Sequence, residues 1–208
     1  MKYFSDEEII RVLGRYNVEA TGLLCDQIRA YTDLLLRWNR RISLTTITDP
    51  LEILRFHFGE SLLAITSVPI RQGRLADVGS GAGFPAIPIR MVCKDIDLTL
   101  IESNRKKAAF LAEVARELGI SGIQVHPQRM EDIDDRSSGF DFVTARAVAV
   151  DDILLQWASN HLKPSGVIAL WLGRDDSGRI SLSSSWKWGN PVDVPGADRR
   201  VILVGTKP

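Results

Sequence analysis

Three glycines at alternate positions, Gly79, Gly81 and Gly83, lie inside Leu75-Ala-Asp-Val-Gly-Ser-Gly-Ala-Gly-Phe-Pro85. Glycine adopts positive φ readily and lets a ligand lie against the backbone with no Cβ between. A helix opening near Phe84-Pro85 would turn its free N–H groups toward whatever the turn holds. Asp97-Leu-Thr-Leu-Ile-Glu102 then reads as the next strand, ended by a carboxylate able to accept both hydroxyls of a ribose. Strand, glycine turn, helix, strand and acid together predict a bound nucleoside.

The glycine spacing narrows the choice of nucleoside. A dinucleotide fingerprint places its third glycine three residues after the second, a position held here by Phe84. Gly-x-Gly-x-Gly preceded by Asp77 instead resembles the first motif of Rossmann-like S-adenosylmethionine methyltransferases. That cofactor has a ribose and an amino-acid end but no pyrophosphate. Farther on, Arg129-Met-Glu-Asp132 follows a third strand, Ile123–His126, and reaches the same sheet edge. Met130 can pack on an adenine there, and Glu131 or Asp132 can meet its amino group; an ordinary acidic helix start is the alternative.

These residues need a scaffold to position them. The 208 residues, 45% hydrophobic and 25% charged, describe one globular domain with a small appendage. Residues 1–70 read as an N-terminal helical subdomain and 71–208 as an α/β unit. Ser5-Asp-Glu-Glu8 is a capping-box start, with Ile9, Ile10 and Leu13 expected inward. Leu24, Ile28, Tyr31, Leu35, Trp38 and Ile42 form one apolar stripe. Asp49-Pro50 caps a further helix carrying Leu54, Phe58, Leu62 and Ile65 inward. From Leu75 strands and helices alternate, as a doubly wound sheet requires. Residues 173–185 are polar and Ser-rich and read as a loop.

Composition excludes some partners. Lys plus Arg balance Asp plus Glu at 26 each, so any nucleic-acid site must be a local patch. No apolar run reaches spanning length and the first eight residues lack a leader's apolar core; no membrane or DNA partner is expected. Cys25 and Cys93 read as buried thiols of a cytoplasmic protein, and the three histidines show no metal-ligand spacing. The candidate patch is Arg37, Arg40 and Arg41 around Trp38-Asn39, with Arg55 and His57 on the next helix. These residues form either a phosphate-holding surface or a solvated face.

The end of the fourth strand limits the reaction, because substrates of open α/β sheets sit at that edge. Amino-group methyltransferases place an Asn/Asp-Pro-Pro-aromatic segment there, whereas this chain has Thr144-Ala-Arg-Ala147. Neither cysteine lies where a cytosine-attacking thiolate is needed. The nucleophile must therefore need no deprotonation, or its base is not legible.

Trp38-Asn39 with Ser43-Leu-Thr45, His57-Phe58 with Ser61-Leu62, Asp77 to Pro85, and Thr144-Ala-Arg-Ala-Val148 occur in that order. Together they resemble the small-subunit ribosomal RNA methyltransferase G family, also called the glucose-inhibited division protein B family. The resemblance spans roughly residues 20 to 170. It implies a class I methyltransferase fold with a mostly parallel seven-stranded sheet. It also implies methyl transfer from S-adenosylmethionine to N7 of one guanine in 16S ribosomal RNA. Carried over by position, Gly79, Phe84, Met130, Glu131 and Arg146 contact the cofactor. Guanine N7 has a lone pair and no proton, so no general base is expected, and Arg146 is assigned to positioning, paired with Asp141 or Glu131 if its role is structural. A same-fold enzyme acting on a small molecule and a cofactor-binding assembly factor without transfer activity are the rival readings. Trp171-Leu-Gly-Arg174 departs from the lysine-glycine turn the resemblance implies.

Overall fold

The computed structural model describes residues 3–133, 139–183 and 186–207. Helix α1 (Asp6–Gly14) starts on the expected box: Ser5 Oγ accepts from the Glu8 N–H, and the Glu8 carboxylate accepts from the Ser5 N–H. It buries Ile9, Val12 and Leu13, while Ile10 is 51% exposed, so the inward face lies one step round from the expected one. Helix α2 (Gly22–Asn39), capped by Thr21, buries Leu24, Ile28, Tyr31 and Leu35. Trp38 is half-buried, edge-on to Phe110 at 5.7 Å.

The next helical stretch is less regular than its periodicity implies. A single α-helical turn, α3 (Pro50–Glu52), leads into a π-helix, Ile53–Gly59, and then into α4 (Glu60–Ser67). The wider turn lets consecutive His57 and Phe58 both go inward, and Phe58 is fully buried. Such π segments occur frequently at functional sites.

Strands β1 (Gln72–Val78), β2 (Asp95–Ile101), β3 (Ile123–His126), β4 (Phe140–Arg146) and β5 (Leu162–Gly173) run parallel. They alternate with α5 (Ala86–Val92), α6 (Arg105–Glu117) and α7 (Asp152–His161). Strands β6 (Lys187–Trp188), β7 (Val192–Asp193) and β8 (Arg200–Thr206) complete the sheet in the order β3-β2-β1-β4-β5-β8-β6, with β7 also on β8. Among the described residues the sheet has eight strands where seven were implied, because two two-residue strands pair antiparallel with β8. The order reverses between β1 and β4, and the crevice above their carboxyl ends is the expected ligand position.

Residues 173–185, expected as a loop, include α8 (Arg174–Ser183), with 184–185 outside the described residues. Asp175 and Asp176 in its first turn complement the helix dipole, and buried Ser177 and Ile180 anchor it. The helices of residues 1–70 share one apolar core with a face of the sheet: Tyr31, Phe58, Ile87, Phe110 and Leu75 belong to a single cluster. Among the described residues no helix is long and apolar enough to cross a membrane, Cys25 and Cys93 are buried free thiols, and no cluster of metal-ligating side chains occurs.

Asp77 joins the two central strands beneath the glycine turn. It is 1% exposed, and its Oδ1 accepts from the Thr144 hydroxyl at 2.6 Å while Oδ2 has no hydrogen-bond partner. Burial pushes its carboxyl up to about 7, against the opposing pull of the hydrogen bonds. A raised carboxyl favours the folded state while protonated. The unfolded chain loses its proton first, so stability falls as pH rises from about 4 to about 7. Urea unfolding of Asp77→Asn and the parent chain should therefore show the variant gaining relative stability between pH 5 and pH 8. A gap independent of pH would mean that Asp77 titrates normally.

Candidate active site

The cavity at the switch point has a volume of about 370 Å3. Its floor is the glycine turn, held from two sides. Below, the N–H groups of Gly79 and Ser80 donate to the Ile101 carbonyl at 2.9 and 3.1 Å. Beside it, Glu102 Oε2 accepts from the Gly81 N–H and Oε1 from the Asn104 N–H, each at 2.8 Å. The predicted ribose ligand is thus also the brace of the turn. Each of its oxygens keeps a second lone pair for a ligand.

The glycines are required for different reasons. Gly79 has φ +68, and a Cβ there would strike Val148. Gly81 has φ +54, and a Cβ there would meet only the Gly79 carbonyl, at 3.7 Å. Its open side belongs to the cavity wall, so a side chain would occupy ligand space. Gly83 faces the other way, against Tyr31 and Ile87.

An aromatic wall closes one side. Phe84 lies stacked between Tyr31, 5.1 Å between ring centroids, and His57, 4.7 Å, with Phe58 edge-on at 5.3 Å. The Tyr31 hydroxyl donates to the Ala82 carbonyl at 2.5 Å, tying α2 to the turn. His57, expected on a phosphate-holding surface, is instead buried. It is 8% exposed, in the cavity wall, and its Nε2 is 2.8 Å from Thr45 Oγ1. Burial, reinforced by the Arg146 charge, lowers its pKa to about 3. The ring is neutral and cannot hold a phosphate as a cation. Thr45 is fixed in turn by Asn39, whose Oδ1 accepts from the Leu44 and Thr45 N–H groups at 2.9 and 3.0 Å.

Arg146 leaves β4 into the same cavity. Its Nη2 donates to the Phe56 carbonyl at 2.8 Å and pairs with Glu60 Oε2 at 3.2 Å, while the buried Nη1 has no hydrogen-bond partner. Burial lowers its pKa, and Glu60 opposes the shift. The partners considered from sequence are not used. Asp141 pairs with Lys163 at 2.8 Å and accepts from the Arg74 N–H, and Glu131 is exposed. The Nη1 donor is free for an anionic group of a ligand.

Five of the eight residues expected at the cofactor, Gly79, Gly81, Phe84, Glu102 and Arg146, line one cavity. Asp77 lies beneath that wall. Met130 and Glu131 form a 3-10 turn, Met130–Asp132, after β3 and are outside the cavity wall. Arg37, Arg40 and Arg41 are exposed at the end of α2, Arg37 in an ion pair with Asp33 at 2.9 Å. Four residues beyond Arg41 the chain reaches Thr45 in the cavity wall. Sequence reading missed Glu60, which has the pattern of an ordinary helical acid, and Arg200, which opens a strand. Only the three-dimensional cluster in which Glu60 pairs with both Arg146 and Arg200 distinguishes them.

A family model described as rRNA small subunit methyltransferase G matches residues 24–183. The ribosomal RNA small subunit methyltransferase G of Streptococcus thermophilus (strain CNRZ 1066) is 41% identical over 192 residues, 86% of this chain and 81% of that protein. The protein of the same name from Xylella fastidiosa (strain 9a5c) is 41% identical over 180 residues, 84% of each chain. Among solved structures, a SAM dependent methyltransferase from Aquifex aeolicus superposes with a TM-score of 0.64 at 15% identity, covering 76% of this chain and 93% of that one. The YcgJ protein from Bacillus subtilis gives 0.57 at 14% identity, covering 73% and 99%. At such identities the structures establish the fold alone, the class I methyltransferase sheet. The sequence matches establish more: the chain belongs to the rRNA small subunit methyltransferase G family.

Proposed function

We propose that this methyltransferase transfers the methyl group of S-adenosylmethionine to N7 of a guanine in 16S ribosomal RNA of the small subunit. The observation that carries the reading is the pairing, in one cavity, of a braced carboxylate and a buried guanidinium with a free N–H. Glu102 suits the ribose hydroxyls, and Arg146 Nη1 suits the carboxylate of the amino-acid end. The left-handed backbone at Gly79 and Gly81 admits the ligand close to the turn. Met130 and Glu131, at the exit of β3 next to β2, would flank the adenine end. Bound there, the cofactor supplies an electrophilic methyl on a sulfonium.

Guanine N7 attacks with its own lone pair, the carbon–sulfur electrons return to sulfur, and the positive charge passes to the purine with no proton released. On this reading no base is required: burial holds the His57 pKa down at about 3, and Glu102 accepts two backbone N–H groups. Chain residues then act by placement and electrostatics. The relatives' shared name favours ribosomal RNA over a small-molecule acceptor or an inactive assembly factor. The buried thiols fit a cytoplasmic location.

Transfer of labelled methyl from S-adenosylmethionine to small-subunit RNA, with the modified atom mapped, tests the reading. Under single turnover the rate should lack a tenfold-per-unit rise between about pH 6 and pH 9 that a histidine or carboxylate substitution removes; such a limb would mean a deprotonated nucleophile. Calorimetry should show Glu102→Ala weakening cofactor binding about ten- to a hundredfold, from lost charged hydrogen bonds and a loosened turn. Unchanged affinity would place the cofactor elsewhere. We also assign RNA contact to Arg37, Arg40 and Arg41, because they are exposed within a few residues of the cavity wall. Reversing their charges should weaken RNA binding and flatten its salt dependence by about 0.7–0.9 log units per lost phosphate contact. An unchanged salt slope would show that they are only solvated surface.

A further inference from the structure

A second cavity of about 270 Å3 opens on the β5 and β8 side of β4. The two cavities share Arg146 and Ala147. Ala147 sits between them at φ +55, a conformation that residues with a Cβ seldom adopt and that concentrates at functional sites. The wall of this cavity combines one carboxylate with two guanidiniums. Glu60 is 1% exposed, with Arg146 on Oε2 at 3.2 Å and Arg200 Nη1 at 2.7 Å from Oε1. The Arg200 contact is close but not aligned, so Oε1 has no hydrogen bond. Arg200 also lies over the Phe56 ring at 4.7 Å, and its side chain is 40% exposed. Trp171 forms the apolar side, its indole N–H donating to the Glu60 carbonyl at 3.1 Å.

We propose that this second cavity receives the acceptor guanine, with Glu60 reading its Watson–Crick edge and Arg200 holding an adjoining phosphate; the proposal rests on the methyl-transfer reading above. The space is just below the usual range for small-ligand clefts and suits a single base, which must leave its stack to enter. Of the four RNA bases only guanine presents two adjacent donors on that edge, the ring N1–H and the 2-amino group. A carboxylate accepts such a pair in parallel, and Oε1, held by an ion contact with Arg200 but by no aligned hydrogen bond, is the acceptor a base can take over. Arg200, the more exposed of the two cations, is the one able to turn to a phosphate once the base donates to Oε1. N7 lies on the far edge of the purine. A base held through N1–H and its amino group therefore directs N7 away from Glu60, and the methyl-donor cavity lies beyond Arg146 and Ala147.

The arrangement also favours the transition state over the ground state. As the purine gains positive charge its N1–H becomes a stronger donor, so the hydrogen bond to Glu60 strengthens as the methyl moves. Interactions that tighten in this way raise the rate rather than merely the affinity.

The test pairs an atom of the RNA with an atom of the protein. Small-subunit RNA is prepared with guanosine or inosine at the mapped acceptor position; inosine keeps N7 and lacks only the 2-amino group. Single-turnover rates at saturating S-adenosylmethionine are measured with the unaltered protein and with Glu60→Gln. Inosine should slow the unaltered protein about ten- to a hundredfold and slow the variant far less. Equal penalties in both proteins, or no penalty in the unaltered one, would overturn the assignment of Glu60. Where Glu60→Gln does not fold, the inosine penalty of the unaltered protein and Arg200→Ala decide: the variant should raise the KM for RNA, flatten its salt dependence and keep the preference for guanosine. An unchanged KM and slope would remove Arg200 from the acceptor site. Failure of the unaltered protein to methylate guanosine-containing RNA would overturn the methyl-transfer reading, and this proposal with it.

Discussion

A buried carboxylate must be compensated, and in this chain that requirement joins the parts of the molecule. Glu60 stands at the start of α4, its side chain almost wholly out of solvent, with one arginine from β4 and another from β8 against it. Removing one partner of a buried pair leaves an uncompensated charge, at a cost of about 3–5 kcal/mol, whereas the intact pair adds little net stability over an apolar substitute. What the pair provides here is position. The N-terminal helices, the carboxyl edge of β4 and the antiparallel end of the sheet are all referred to one side chain. Arg146 keeps one buried N–H without a hydrogen-bond partner at that junction and also lines the cofactor cavity.

The helices before the sheet are therefore part of the site. Tyr31 from α2 bonds the carbonyl between Gly81 and Gly83, His57 from the π-helix covers Phe84, and Asn39 fixes the loop that carries Thr45 to the cavity. These contacts have different physical origins, but all act on the glycine turn or its wall. Because that segment also shares the apolar core of the sheet, the turn cannot be displaced without disturbing packing well away from it.

What the sequence made legible was local. The glycine turn and Glu102 announce themselves because their chemistry depends on neighbours within a strand, a turn and the next strand end, and the turn's hydrogen bonds are of that kind. The caps at Ser5 and Asp49 were readable for the same reason. The partner of Arg146 was not, since Glu60 is distant in sequence and nearer carboxylates were equally plausible by charge. His57 was misjudged because its type invites a cationic role, whereas its charge state is set by a burial that periodicity does not reveal. Helix α8 was hidden by serines and glycine of low helix propensity, which packing through Ser177 and Ile180 overrides.

The π-helix between Ile53 and Gly59 also bears on how the chain tolerates changes in length. A π turn amounts to an α-helix with one residue inserted. Losing a residue there would restore ordinary winding and rotate all that follows by about 100° relative to all that precedes. The carbonyl of Phe56, the ring of His57 and the carboxylate of Glu60 could not then keep their common bearing on Arg146. In this stretch residue number is constrained as tightly as residue type, whereas a deletion in an exposed connection elsewhere shifts only the connection itself.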